Sequence, residues 1–181
     1  MPSHSDSTPN GVTSLITQDG VWQVDPSASK ITFAVKTLAG LMTIRGTFAE
    51  YEGKLNAHSG NATGELTIKA DSLDTGNSKR DQHLRSRDFF DTARHPRITF
   101  RVTSPKSLNQ GPFLMGEVAL KASQVPVKIP IELKPIGGGA LSLHASTTIS
   151  RNALGIAWNR LGMVQDEVFV DAQLTLKRAS H

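Results

Sequence analysis

The chain has no cysteine, one tyrosine and two tryptophans in 181 residues. Without thiols there is no cysteine nucleophile, no thiolate zinc site and no disulfide scaffold. Aromatic residues make up only 6% of the chain, too few of them tyrosine or tryptophan to suggest a platform on which bases stack. No apolar run approaches the roughly 20 residues that a membrane-crossing helix needs, and the 15 glycines follow no triplet period, which removes a collagenous reading. The opening MPSHSDSTPNGVTSLITQDG has neither the basic start nor the apolar stretch of a secretion signal, so the expected compartment is the cytoplasm.

What is present fits one soluble domain. Residues 1–20 are rich in Ser, Thr, Asn, Gly and Pro without apolar period and read as a disordered tail, leaving 21–178 as the folded domain. A chain of this length buries about 70% of its unfolded surface and needs no metal or cross-link to hold a core. Between Lys79 and Arg101 stand seven cations against three anions, a local excess equal to the net charge of +4. Solvated surface side chains account for such a run as readily as an anionic partner does.

The dominant pattern is alternation with a period of two. Ile31, Phe33 and Val35 share one side of a strand, Ala62 to Ala70 repeat the pattern, and so do Ile98, Phe100 and Val102. Gly116 to Leu120, Val125 to Leu133, Leu141 to Ile149 and Val168 to Leu176 continue it, and with Ile44 to Leu55 the count is about eight strands. Turn signals such as Ser59-Gly60-Asn61 and Gly137-Gly138-Gly139 separate them. Strands joined by short turns without intervening helices pair antiparallel, so the fold is all-β, a barrel or a sandwich. Pro126 and Pro130 have equal parity and delete N–H donors along one side of their strand, which therefore lies at an edge or beside a gap. Only 78–94 and 151–165 depart from the pattern. The first predicts one or two short helices ending before Pro96, the second a loop carrying Trp158.

Candidate chemistry is sparse. Asp91 and His95 have the spacing of one helical face, but Pro96 cuts the helix off, and no histidine motif supports a metal. His83 lies near Asp81 and Ser86, yet catalytic triads are assembled from distant segments. There is no nucleophile elbow, phosphate loop or dinucleotide fingerprint. Nucleic acid is disfavoured as a partner, because Phe100 faces away from Arg97 and Arg101 on its strand.

The run Arg80-Asp81-Gln82-His83-Leu84-Arg85-Ser86-Arg87-Asp88-Phe89-Phe90-Asp91, with His95-Pro96-Arg97-Ile98-Thr99-Phe100 after it, resembles a motif of the YceI-like family of polyisoprenoid-binding proteins. Trp22-Gln23-Val24-Asp25-Pro26-Ser27, Ile44-Arg45-Gly46-Thr47-Phe48, Ser150-Arg151-Asn152 and Asp166-Glu167-Val168 extend the similarity over residues 21 to 178. The chain departs from the family pattern at Thr37, where many members have histidine, in the loop Ala122 to Pro126, which lacks a lysine, and at Gln165, where glycine is common.

The resemblance implies an extended antiparallel eight-stranded lipocalin-like β-barrel, often dimeric, that binds, stores or transports a long isoprenoid or other amphiphilic lipid such as a polyprenyl phosphate or quinone. It implies no cofactor beyond that lipid, no metal and no catalytic residue. On this reading Phe33, Val35, Phe48, Leu66, Ile68, Phe100, Val102, Phe113 and Ile129 line the interior, while Leu84, Phe89, Phe90 and Trp158 stand near the entrance. Arg80, Arg85 and Arg87 then offer paired donors to a phosphate head group, or else Arg80 and Asp81 fix the local backbone. The alternative function is an enzyme acting on a lipophilic substrate, with His83 as base and Asp81 as its orienter. Periodicity leaves open whether the interior is hollow or filled by its own aromatics.

Overall fold

A computed structural model describes residues 19–106 and 111–180. The tail expected over residues 1–20 falls almost wholly outside them, and the first strand begins at Gly20. The strands are β1 (Gly20–Val24), β2 (Lys30–Thr37), β3 (Met42–Phe48), β4 (Tyr51–His58), β5 (Asn61–Lys69), β6 (Leu73–Asp74), β7 (Arg97–Val102), β8 (Phe113–Leu120), β9 (Ser123–Ile136), β10 (Ala140–Ser150) and β11 (Val164–Arg178). Among the described residues one α-helix, α1 (Ser78–Arg85), occurs, between β6 and β7.

All pairing is antiparallel. The order β1-β4-β5-β7-β8-β9-β10-β11 closes on itself because β11 also pairs with β1, giving an eight-stranded barrel, and β2, β3 and β6 extend it from the side of β11. The extension arises because three long strands are kinked. β1 and β2 are halves of one strand broken at the turn Pro26–Ala28, whose cap is the Asp25 carboxylate accepting from the Ser27 N–H at 3.0 Å. β3 and β4 are split at Ala49-Glu50, and β5 and β6 at Ala70–Ser72. Each kink reverses the parity of inward residues: Gly46 and Phe48 are buried before the break, Tyr51, Leu55 and Ala57 after it. The expected single strand from Ile44 to Leu55 is thus two.

β9 pairs with β8 over Ser123–Pro130 and with β10 only over Ile131–Ile136. The Ile131 N–H donates to the Pro112 carbonyl at 2.8 Å, so odd-numbered N–H groups of β9 point at β8 and the even positions of Pro126 and Pro130 face the other way. The two prolines therefore border a slit between the first half of β9 and the second half of β10, as their missing donors require.

The two ends of the barrel differ. At the end formed by β1, β4 and the turn at Gly137–Gly139, Trp22 (3% exposed), Ala57, Ala62, Leu133, Leu141 and Leu176 pack a closed floor. Toward the other end Leu66, Ile68, Phe100, Val168 and Ala172 point inward but are only partly buried.

Candidate functional site: an apolar cavity in the barrel

Those inward residues stay accessible because they face a cavity. The cavity measures about 250 Å³, several times the roughly 30 Å³ that one water takes up in the liquid. Side chains from β1, β2, β3, β4, β5, β7, β8, β9, β10 and β11 form the wall, and Leu84, Phe89, Phe90, Leu154 and Ile156 close over the open end. Nearly all of the wall is hydrocarbon. Lys54 and Glu65 border it but lie exposed on the outer face, where Glu65 pairs with Arg101 at 2.8 Å.

Of the residues expected to line the interior, Phe33, Val35, Phe48, Leu66, Ile68, Phe100, Val102 and Ile129 border this cavity, and so do Leu84, Phe89 and Phe90. Phe33 and Phe48 lie 5.2 Å apart between ring centres, and Phe90 meets Phe48 edge-on at 6.3 Å. Glycines make room for two of these rings. A Cβ on Gly46 would lie 2.4 Å from the Phe33 ring, and one on Gly116 2.4 Å from the Phe100 ring, so each ring occupies the space that a side chain on the neighbouring strand would need.

Phe113 is a correction. Leu114, Gly116, Val118 and Leu120 are the buried side of β8, which turns Phe113 outward, with the Lys128 ammonium 3.9 Å above its ring. Trp158, expected near the entrance, packs behind the lid against Phe89 (5.0 Å) and edge-on to His83 (4.8 Å) and does not itself border the cavity.

The arginines expected at a head group are engaged elsewhere. β6 pairs with β3 on one side only, and α1 supplies side chains to the other. Arg85 donates from Nε to the Asp71 carbonyl at 2.9 Å and from a terminal nitrogen to the Leu73 carbonyl at 2.6 Å. Arg80 donates to the Thr75 hydroxyl and carbonyl, both at 2.8 Å, and the buried Asp81 accepts from the Thr75 N–H at 3.0 Å and its hydroxyl at 2.5 Å. The helix thus completes an otherwise unsatisfied sheet edge. Arg87 alone of the three is exposed, with no ion pair among the described residues. The same geometry separates the acid–base pair: Asp81 is taken up by Thr75, while His83 Nε2 lies 3.0 Å from Asp88.

Arg151 is the residue that sequence reasoning passed over. It is 4% exposed, and its guanidinium donates to the carbonyls of Gln165 (2.9 Å), Ile156 (2.7 Å), Trp158 (3.1 Å) and Val164 (3.1 Å), tying the loop 152–163 to the top of β11. Asp166 reinforces the junction by accepting from the Ser150 hydroxyl at 2.7 Å and the Asn152 N–H at 2.9 Å, and those bonds hold its carboxyl below the ordinary carboxylate range. Lys121 donates to the Phe89 and Gly155 carbonyls and joins the lid to this loop. Both Arg151 and Asp166 stand in motifs that carry the family resemblance. An arginine in a sequence reads as a charge, however, and here it serves as a set of donors.

A closed antiparallel barrel around a cavity walled mostly by hydrocarbon, with the buried Arg151 at its border bound to main-chain carbonyls, belongs to the class of ligand-enclosing β-barrels. Its fold is shared by BcnA of Burkholderia cenocepacia (TM-score 0.73, 21% identity, 84% of this chain and 98% of that one). It is shared equally by a polyisoprenoid binding domain from Saccharophagus degradans (TM-score 0.73, 14% identity, 87% and 98%). The chain belongs to the YceI-like family: the YceI-like domain spans residues 22–176, and a UPF0312 protein of Pseudomonas aeruginosa is 30% identical over 146 residues, covering 76% of this chain and 75% of the relative.

Proposed function

We propose that the chain binds, stores or carries a long-chain isoprenoid or similar amphiphilic lipid, a polyprenyl phosphate or a quinone, inside the barrel. The observation that carries this reading is the hollow interior walled by hydrocarbon. Each buried CH₂ contributes about 0.8 kcal/mol, so a long tail needs no specific polar contact to be held. The polyisoprenoid binding domain from Saccharophagus degradans has the same fold. With Arg80 and Arg85 bound to main-chain carbonyls, selection rests on the tail and only weakly on the head, and Arg87 is the cation left for a charged head group. Asp81 and His83 are held by different partners, so they do not form the acid–base pair that the alternative reading requires.

The test is native mass spectrometry of the chain purified from its own host, followed by organic extraction. A stoichiometric long-chain lipid is the expected result. A bare mass that persists after incubation with a polyprenyl phosphate and with a quinone overturns the proposal. Phe100→Glu, which places a carboxylate on the cavity wall, abolishes uptake. Arg85→Ala lowers stability and weakens neutral and charged lipids alike, whereas a loss confined to charged lipids would restore Arg85 as a head-group receptor.

A further inference from the structure

The open end of the barrel carries a feature that lipid binding in the interior does not use. Two loops there hold large apolar side chains in solvent: the turn from β2 to β3 with Leu38, Leu41 and Met42, and the turn before β11 with Leu161 and Met163. Leu41 is 86% and Leu161 84% exposed. The loops are neighbours, because the Leu38 N–H donates to the Met163 carbonyl at 2.8 Å and Thr37 pairs with Val164.

Neither loop is a loose end. The Asn159 side chain accepts from the Val164 N–H at 2.9 Å and donates to its carbonyl at 3.0 Å, and Arg151 grips the Val164 and Gln165 carbonyls beneath. Leu38 (φ 51°) and Leu161 (φ 63°) sit in left-handed backbone that glycine or asparagine normally occupies. Leucine is therefore doubly unfavourable at both places, strained and wet, which is the kind of local conflict that marks a functional surface.

Charge points the same way. Residues 36–45 and 157–163 contain Lys36, Arg45 and Arg160 and no acidic residue. Along β11 the next acid, Asp166, is engaged by Ser150 and Asn152, and Glu167 beyond it is exposed. Directly below the loops Val35 and Val164 line the cavity, so the exposed patch and the hydrocarbon interior meet at one rim.

We infer that this paired tip docks on a bilayer containing anionic lipid. The leucines enter the headgroup–acyl boundary while Arg160, Lys36 and Arg45 meet lipid phosphates, an arrangement in which burial of apolar area and surface charge act together. The cavity then opens toward the membrane from which its ligand is drawn. What is carried rests on the lipid-binding proposal; the docking does not.

The experiment is co-sedimentation of the full chain with vesicles of phosphatidylcholine containing about 30% phosphatidylglycerol, and with phosphatidylcholine alone. The wild type is expected to bind the anionic vesicles, and the double variant Leu41→Ser/Leu161→Ser to lose about tenfold or more in affinity with an unchanged melting temperature, both side chains being exposed. Arg160→Gln is expected to bind a few-fold more weakly, a difference that vanishes at high salt. Vesicle binding equal in wild type and double variant overturns the inference, as does absence of wild-type binding to either vesicle. So does a wild-type dimer that the double substitution dissociates without any vesicle binding, since the occupant is then a second copy. Uptake of a polyprenol from detergent micelles separates the two proposals. It stays intact in the double variant, and its failure in the wild type strikes the lipid-binding reading while leaving the vesicle result to stand by itself.

Discussion

The floor and the open end of this barrel are made by the same strands with the same alternation, and they behave oppositely. At the floor, Trp22, Leu133, Leu141 and Leu176 touch neighbours on all sides and are almost wholly buried. About 13 to 26 Å along the strands, at about 3.3 Å per residue, Leu66 and Ile68 beyond Ala62 on β5 and Val168 beyond Leu176 on β11 have neighbours on one side and empty space on the other. Alternation specifies only which side of a strand faces in. Whether the interior is filled depends on the kinks: β2, β3 and β6 splay from the ring at their turns, and the lid of α1, Phe89 and the 152–163 loop then roofs a space that side chains do not fill. The floor supplies stability and the open end supplies volume.

Substitution at matched positions breaks the comparison most directly. Trp22→Ala at the floor removes a packed ring and leaves a void, and a loss of about 3–5 kcal/mol in urea unfolding is expected. Ile68→Ala on the cavity wall removes atoms that already border empty space, so the transfer term alone remains, about 1–2 kcal/mol; equal losses at the two sites would mean that the interior is packed. Next in size is Arg151→Met, which leaves four carbonyls without their donor. It is expected to cost about 3 kcal/mol, and hydrogen exchange should show its effect concentrated over residues 152–165 and absent from the floor.

Gly46→Ala sharpens the contrast without attacking the floor. The new methyl displaces the Phe33 ring into the cavity, so lipid uptake falls about tenfold while stability changes by about 1–3 kcal/mol, and titration against a fluorescent apolar ligand reads the difference. The smallest effect is expected at the junction. Asp25 caps the turn between β1 and β2, and the Lys177 ammonium 2.5 Å away, with the Ser27 hydroxyl, holds its pKa at about 2. A carboxyl lower in the folded state than in the unfolded chain adds stability above the unfolded value near 3.8, and that addition fades as pH falls toward about 2. Asp25→Asn should flatten this part of an acid-unfolding curve and leave the curve above pH about 5 with the same shape.

Most of the wall was legible in the sequence because a half-buried strand advertises its inner face. Phe33, Phe48, Leu66, Phe100 and Ile129 were all assigned inward from parity, and all border the cavity. Phe113 was assigned inward as well and faces out, since an aromatic at a strand start attracts a core assignment although Leu114 to Leu120 fix the opposite parity. The kinks were written in the sequence as parity reversals, Phe48 to Tyr51 and Ala70 to Leu73, but a reversal is visible only when two strands are not first read as one. What could not be read were the partners of Arg80, Arg85 and Arg151. Those partners are main-chain carbonyls, and every residue has one.

The slit between β9 and β10 has a mechanical meaning. Widening a fully laced ring of strands means breaking a column of main-chain hydrogen bonds, whichever seam gives way. Here one seam is unlaced over half its length, and Pro126 and Pro130 ensure that two of its positions can never be laced. Spreading at that place disturbs side-chain contacts alone, so the bore of the barrel is adjustable on one flank and fixed on the other.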